Sequence, residues 1–264
     1  MSPTSTNTPL LAASKEGKSV WSSPTLSNLT DSQVTLLTDY SRLPLDSVIP
    51  HILAIREKAW PILSRLYIGQ LRFLDPTLSE SPSYPTILAH LKDSPNAMLL
   101  DLSCSFGQDL PKFIYVEAPA SSLYGAELRS EFLVLGFDCF RDRETIGTTD
   151  LDGMMSIVNI GLFLHQFDWD GQRRACKMIV ALSRPEKGVL VLVHQIGSVV
   201  QSDVVFRGEK EVTRHSEESF KRPWEEVGKG TRGVWEIRVA LNEGLGGNVG
   251  EETGVWDDAD TRRL

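Results

Sequence analysis

Residues 99–110, LLDLSCSFGQDL, decide the fold of this chain. An apolar run reaches Asp101, a turn of small residues follows, and Gly107 leads into helix-forming sequence. A short apolar run that ends at such a turn is typical of a buried strand. We therefore predict a strand, a tight turn and a helix, in that order.

The alternation of strand and helix continues after this stretch. Apolar runs predict strands at 98–102, 123–126, 155–161, 188–197 and 233–241, and helical spacing predicts helices at 108–115, 130–140, 171–183 and 216–228. This βα alternation favours a mostly parallel sheet covered by helices on both faces, in which ligands bind at the carboxyl ends of the strands. The predicted class is therefore α/β, with a Rossmann-like sheet.

Composition divides the chain into four parts. Residues 1–45 are polar and rich in turn formers, so we expect a flexible arm. Helical apolar spacing then predicts a helical extension over 46–96, and the α/β domain follows over 97–241. The glycine-rich, acidic residues 242–264 are expected to be loose.

Charge and cysteine content exclude several classes of function. With 27 basic and 35 acidic residues, the net charge of −8 repels nucleic acid. Cys104, Cys139 and Cys176 lack the spacing of a disulfide framework or a metal site, so no metal is expected and a reducing cytoplasm fits. No apolar run approaches the ~18 residues of a membrane span.

The turn after the first strand has the pattern of a nucleoside site. An acid, Asp101, ends that strand, and a second acid, Glu127, follows the next one, where it can accept both ribose hydroxyls. A dinucleotide site would carry three glycines, but Ser103 and Ser105 stand beside Gly107. A ligand without phosphates, such as S-adenosylmethionine, fits this turn better than NAD does. A plain strand and turn with incidental acids explains the residues equally well.

Five ordered motifs resemble the fungal S-adenosylmethionine-dependent methyltransferases of secondary metabolism, particularly those of meroterpenoid clusters. They are YIGQLRFLD, LLDLSCSFGQDLPKF, LYGAELRSEFLVLGFDCFRD, FLHQFDWDGQ and RHSEESFKRPWEEVG, within residues 46–241. The resemblance implies the class I methyltransferase fold and S-adenosylmethionine as cofactor. It also implies a lipophilic small-molecule substrate that is methylated on a carboxyl or hydroxyl group.

The resemblance also implies roles for individual residues. The residues that match cofactor-binding positions are Asp101, Ser103, Ser105, Gly107, Glu127, Leu128 and Ile160. His165 lies in the segment that the family places beside cofactor and substrate, and it is the catalytic candidate for a hydroxyl acceptor. A carboxylate acceptor is already ionised and needs no base.

Two features depart from the family pattern. Ser103 replaces a glycine, which costs about 1 kcal/mol if the position requires a positive φ. Residues 143–154, RETIGTTDLDGM, are too few for the family's third, edge strand, so we expect that strand to be missing. Asp150 in this segment is the candidate for the adenine side. An error in the gene model would also explain the short segment.

These departures leave other functions open. The chain could be a methyltransferase-fold cyclase or isomerase of the same kind of pathway, or an inactive homologue. A lone histidine such as His165 is more often a hydrogen-bonded structural residue. Tyr67, Arg72 and Phe73 could form a lid over the substrate or only dock the N-terminal helices. A homodimer is compatible with an exposed sheet edge.

Overall fold

The first predicted strand lies inside the central sheet of the molecule. The computed structural model describes residues 29–142, 153–206, 210–231, 235–242 and 255–263. Strands β1 (Leu99–Leu102), β2 (Leu123–Ala126), β3 (Ile157–Gly161) and β4 (Leu190–Ile196) are parallel and lie in the order β2-β1-β3-β4. Asp101 is therefore flanked by Gly125 on one side and Asn159 on the other. The predicted parallel sheet is confirmed.

Helices cover both faces of this sheet, as predicted. Helices α4 (Tyr84–Asp93) and α5 (Asp109–Tyr115) contribute to one apolar core, whereas α7 (Trp169–Leu182) and α8 (Glu217–Thr231) contribute to the other. Helix α6 (Ser130–Phe140) packs against the N-terminal helices. Alternate strand residues enter different cores: Leu190 and Leu192 join α4 and α5, and Val191 and Val193 join α7 and α8.

Regular structure begins closer to the N-terminus than the composition of the chain predicts. Helix α1 (Asp31–Thr35) and a π-helix (Leu36–Tyr40) precede α2 (Leu45–Ala59), so the expected arm over 1–45 is wrong for these residues. Thr30 and Gln33 form a capping box, and Leu36 and Leu37 are buried. The apolar spacing was too short to reveal a helix, although the capping pair was a usable signal. Residues 1–28 lie outside the described part of the chain.

The helical extension after it consists mostly of short elements. Helix α3 (Leu66–Gly69) and two 3₁₀ helices (Arg72–Leu74 and Leu78–Glu80) lie between α2 and α4. This segment crosses the edge of the sheet at which the predicted cofactor turn lies. None of the helices that the structure describes is long and apolar enough to cross a membrane.

The expected loose tail from 242 is wrong for its last part. Val255–Arg263 forms β9, which lies between β4 and β7 (Trp235–Ile237) and is antiparallel to both; β8 (Leu241–Asn242) also pairs with it. The segment is rich in charged residues, so its sequence lacks the apolar density of the other central strands. Its strand character comes from backbone pairing, which apolar spacing does not report.

Two further features concern the edges of the fold. Strands β5 (Ser202–Phe206) and β6 (Lys210–Arg214) form a separate antiparallel sheet that we did not predict. In the described part of the main sheet, β2 is an edge strand. Residues 143–152, where we expect the third strand of the family to be missing, lie outside the described residues, as does Asp150.

Candidate cofactor and substrate site

The turn after β1 has left-handed backbone conformation at each of the three predicted positions. The φ angles are 64° at Ser103, 56° at Ser105 and 68° at Gly107. Glycine adopts this region freely, whereas each serine in it destabilises the folded backbone by on the order of 1 kcal/mol. The turn therefore keeps the backbone course that three glycines would give, although two of them are replaced by serine.

Hydrogen bonds to the neighbouring strand hold the turn in this conformation. The N–H groups of Ser103 and Cys104 both donate to the carbonyl of Ala126, at 2.7 and 3.1 Å. The Gly107 N–H donates to the Cys104 carbonyl at 2.7 Å. These bonds offset the strain at the serine positions.

Glu127 lies directly against this turn, as its position after β2 predicted. One carboxylate oxygen accepts the N–H of Ser105 at 3.1 Å, and the other accepts the N–H of Arg129 at 3.0 Å. The side chain is partly exposed, and the neighbouring Leu128 is 98% exposed. The structure thus brings Ser105, Glu127 and Leu128 together at the carboxyl edge of the sheet.

Two predicted cofactor residues lie in the interior. Asp101 is 3% exposed and accepts a hydrogen bond of 2.8 Å from Asn159 Nδ2. Burial, followed by the charge of Asp109, raises the pKa of Asp101 well above its ordinary value. Ile160 is fully buried in the core beneath α7 and α8. Both side chains support the site from within, and neither offers appreciable surface to a ligand.

An added side-chain carbon would find room at Gly107 and at the end of β3, although Gly107 itself is buried. A methyl group added at Gly107 would meet only Leu110 Cδ1, at 4.0 Å, and one added at Gly161 would meet no atom of the described residues within 4 Å. Strands β1 and β3 are neighbours, so both glycines lie at the same edge of the sheet. A ligand there has access to the partly exposed Glu127 and Ser103.

A second buried carboxyl, Asp109, was missed by the sequence analysis. It begins α5 and accepts the N–H of Leu78 at 2.7 Å, the N–H of Ser79 at 3.4 Å and the hydroxyl of Thr77 at 3.2 Å. Burial raises the pKa of Asp109 to about 7, and these hydrogen bonds oppose the rise. The available signal was an acid in the first turn of a predicted helix, which is also a common position for an acid at an ordinary helix start.

His165 lies in a 3₁₀ helix, Leu164–Gln166, just after β3. Its Nδ1 is buried and has no hydrogen-bond partner in the described part of the chain. Burial lowers the pKa of His165 to about 4, and the positive charges of Arg214 and His194 contribute. The imidazole is therefore neutral at neutral pH.

Arg214 reaches this region from the unpredicted β5–β6 sheet. The Thr213 N–H donates to the Phe167 carbonyl at 3.0 Å, and Gln172 Nε2 donates to the Thr213 carbonyl at 2.8 Å, so β6 is fixed against the segment after β3. Arg214 is half-buried and forms no ion pair or side-chain hydrogen bond with any residue that the structure describes. The charge of Arg214 acts on His165, whose Nδ1 has no partner in the described residues, and such a pair of groups favours an anionic ligand group.

Groups that could bind a metal are not assembled in the described residues. No cluster of three or more His, Cys, Asp or Glu side chains is found there. Cys104, Cys139 and Cys176 are all buried free thiols.

Comparisons with known proteins report the family of this chain. A family model described as the meroterpenoid methyltransferase N-terminal domain matches residues 21–74. O-methyltransferase atr3 of the fungus Stereocaulon alpinum is 39% identical over 246 residues, which cover 87% of this chain and 69% of atr3. O-methyltransferase phiE of a fungal strain is 34% identical over 255 residues, which cover 87% of this chain and 85% of phiE.

The fold also has a match among solved structures. A SAM-dependent methyltransferase of Leishmania major superposes with a TM-score of 0.50 at 12% identity, and the match covers 82% of each chain. At this identity the match reports the fold alone. Because atr3 and phiE align with most of their own length and of this chain, the chain belongs to the fungal methyltransferases of secondary metabolism and has their class I methyltransferase fold.

Proposed function

We propose that this protein transfers a methyl group from S-adenosylmethionine to a carboxyl or hydroxyl group of a lipophilic secondary metabolite, with a carboxylate as the favoured acceptor. Its relatives atr3 and phiE are O-methyltransferases. The observation that carries the proposal is the turn after β1, which keeps three left-handed positions although two of them are serines. Strained backbone of this kind clusters at ligand-binding turns, and here it lies in the turn that follows the first strand.

The residues around the turn fit the cofactor. Glu127 presents a partly exposed carboxylate for the two ribose hydroxyls, the exposed Leu128 offers an apolar surface for the base, and Ser103, Ser105 and Gly107 bring backbone close to the ligand. The roles of Asp101 and Ile160 are to support this wall from behind, and Asp150 remains the candidate for the adenine side. When bound, S-adenosylmethionine supplies an electrophilic methyl group on a sulfonium.

The acceptor side favours a carboxylate. A carboxylate is ionised at neutral pH and needs no general base, whereas a hydroxyl needs one, and a histidine with a pKa of about 4 is a weak base for it. Arg214 supplies an unpaired positive charge within the described residues, and His165 Nδ1 can exchange a hydrogen bond with an acceptor oxygen. Together these groups orient a negatively charged acceptor.

Calorimetry with S-adenosylmethionine and S-adenosylhomocysteine tests the cofactor assignment. We expect submillimolar binding that Glu127→Ala weakens and that Glu131→Ala, at an exposed residue in the first turn of α6, leaves unchanged. No binding to the wild-type protein would refute the proposal and favour a cyclase, an isomerase or an inactive homologue. No observation in the structure favours these three over methyl transfer.

The remaining proposals concern surroundings and partners. We place the protein in the cytoplasm, because all three cysteines are free thiols. Its net charge of −8 supports the prediction that it does not bind nucleic acid. The homodimer stays a prediction, which sedimentation or light scattering will test.

A further inference from the structure

The N-terminal extension runs alongside the cofactor turn and the start of α5, and contacts them at three successive places. Three contacts run in the same order along both segments: Tyr67 with Ser105, Phe73 with Phe106, and residues 77–79 with Asp109. Such an ordered series places the extension along the turn as a second wall. It does more than cover one end of the domain.

The first contact bears directly on the cofactor turn. The hydroxyl oxygens of Tyr67 and Ser105 are 3.1 Å apart and form a hydrogen bond. Burial raises the pKa of Tyr67 to about 12, so the phenol keeps its proton. Because the Ser105 N–H donates to Glu127 Oε2 at 3.1 Å, Tyr67, Ser105 and Glu127 form one chain of hydrogen bonds.

Ser105 makes this chain possible. A glycine would adopt its φ of 56° without strain, but it would have no hydroxyl for Tyr67 to contact. The hydrogen bond to Tyr67 thus offsets part of the cost of a serine in the left-handed region. The replacement of glycine by serine provides a link between the extension and the turn.

The second contact restricts the turn from both sides. The Phe106 ring stacks on Phe73 at a centroid distance of 4.4 Å and on Phe132 of α6 at 5.3 Å. A methyl group added at Gly136 would approach the Phe106 carbonyl oxygen to 2.2 Å, so α6 packs directly on the backbone of the turn. Phe106 is therefore fixed between the extension and α6, and the residue before it can be positioned reliably by Tyr67.

We propose that Tyr67 is a positioning residue for the cofactor: its hydroxyl holds Ser105, and through the Ser105 N–H the Glu127 carboxylate, in the arrangement that binds the ribose. The inference rests on the proposed function. It assigns to the N-terminal extension a part in cofactor affinity, beyond covering the substrate.

A double-mutant cycle in the full chain tests the inference. We expect Tyr67→Phe to raise the Kd for S-adenosylhomocysteine about fivefold, the effect of one hydrogen bond of ordinary strength. In a Ser105→Gly background, where the partner hydroxyl is gone, Tyr67→Phe should change the Kd by less than about twofold. The control is Tyr115→Phe, which removes a surface hydroxyl that donates to Asp39 at 3.3 Å and should leave the Kd unchanged.

The outcomes distinguish a failure of the proposed function from a failure of the inference about Tyr67. If wild-type protein does not bind S-adenosylhomocysteine, the proposed function fails and the inference fails with it. If wild-type protein binds but Tyr67→Phe binds equally well, or loses the same factor in the Ser105→Gly background, only the inference is overturned. Unfolding curves of each variant show whether a change in Kd reflects the contact or a loss of folded protein.

Discussion

Asn159 Nδ2 donates a hydrogen bond of 2.8 Å to Asp101 Oδ1, and so joins the side chains of two neighbouring strands in the interior of the sheet. Both residues are buried, with 3% and 6% of their surfaces exposed. The bond lowers the pKa of Asp101, while burial and the charges of Asp109 and Glu127 raise it. Asn159 therefore stabilises a carboxyl that has little access to water.

Removal of this partner should destabilise the fold. We expect Asn159→Leu to lower the free energy of unfolding by about 1–3 kcal/mol, because the Asp101 carboxyl is left buried without its donor. The double variant Asp101→Leu with Asn159→Leu should recover part of that loss, since no polar group then remains unpaired. Urea unfolding measures both. A double variant less stable than the single one would contradict this explanation.

Asp109 should make stability depend on pH. Burial raises its pKa from 3.8 to about 7, so the folded protein keeps a proton that the unfolded chain releases. The contribution to the free energy of unfolding is therefore full below about pH 4 and is lost as the pH rises to about 7. The loss amounts to about 1–4 kcal/mol, since one unit of pKa shift equals about 1.4 kcal/mol.

The Asp109→Asn variant isolates this effect, because an amide oxygen can still accept the Leu78 N–H. We expect the difference in unfolding free energy between wild type and variant to shift in favour of the variant from pH 4 to pH 7. The same change at the exposed Asp93, at the end of α4, serves as the control. Parallel pH curves for wild type and Asp109→Asn would contradict the prediction.

Ser103→Gly should relieve backbone strain. With a φ of 64°, the serine adopts a conformation that glycine adopts freely, so we expect a gain of about 1 kcal/mol in the free energy of unfolding. Glu117, exposed and with a φ of 68°, offers a matched position far from the turn, and Glu117→Gly should give a similar gain. A loss of stability in Ser103→Gly alone would show that its side chain contributes more than its backbone costs.

Arg214→Gln should change the KM for the acceptor more than it changes kcat. We expect the KM for a lipophilic carboxylic acid to rise about tenfold, with a smaller change in kcat, because the cation binds the charged ground-state carboxylate, whose charge falls as the methyl group is transferred. Arg174→Gln, at an exposed position on α7, is the control. Initial rates with radiolabelled S-adenosylmethionine give both constants. An unchanged KM would remove Arg214 from the acceptor site.

The sequence was sufficient for the parallel half of the fold. Strands β1, β3 and β4 are dense in buried residues, and that density is a direct consequence of burial on both faces. Strand β9 was missed because it is held by backbone pairing along a charged segment, and β5 and β6 were missed because they form a small sheet of their own. Apolar spacing reports burial and carries no information on such pairing.

The site was predictable in part for the same reason. Ser103, Ser105, Gly107 and Glu127 lie within one strand–turn–helix unit and the strand after it, so local pattern places them together. Tyr67, Asp109 and Arg214 enter through contacts between segments distant in the chain, such as the 3.1 Å contact of Tyr67 with Ser105. Contacts of this kind depend on packing, which sequence spacing does not determine.

The position of β9 in the sequence affects the order in which the sheet can form during synthesis. Its neighbours β4 and β7 are both synthesised before it, and in the described part of the sheet β7 joins β4 only through residues 255–263. Until those residues leave the ribosome, the edge of β4 that faces away from β3 lacks its partner strand, and an unpaired strand edge favours aggregation.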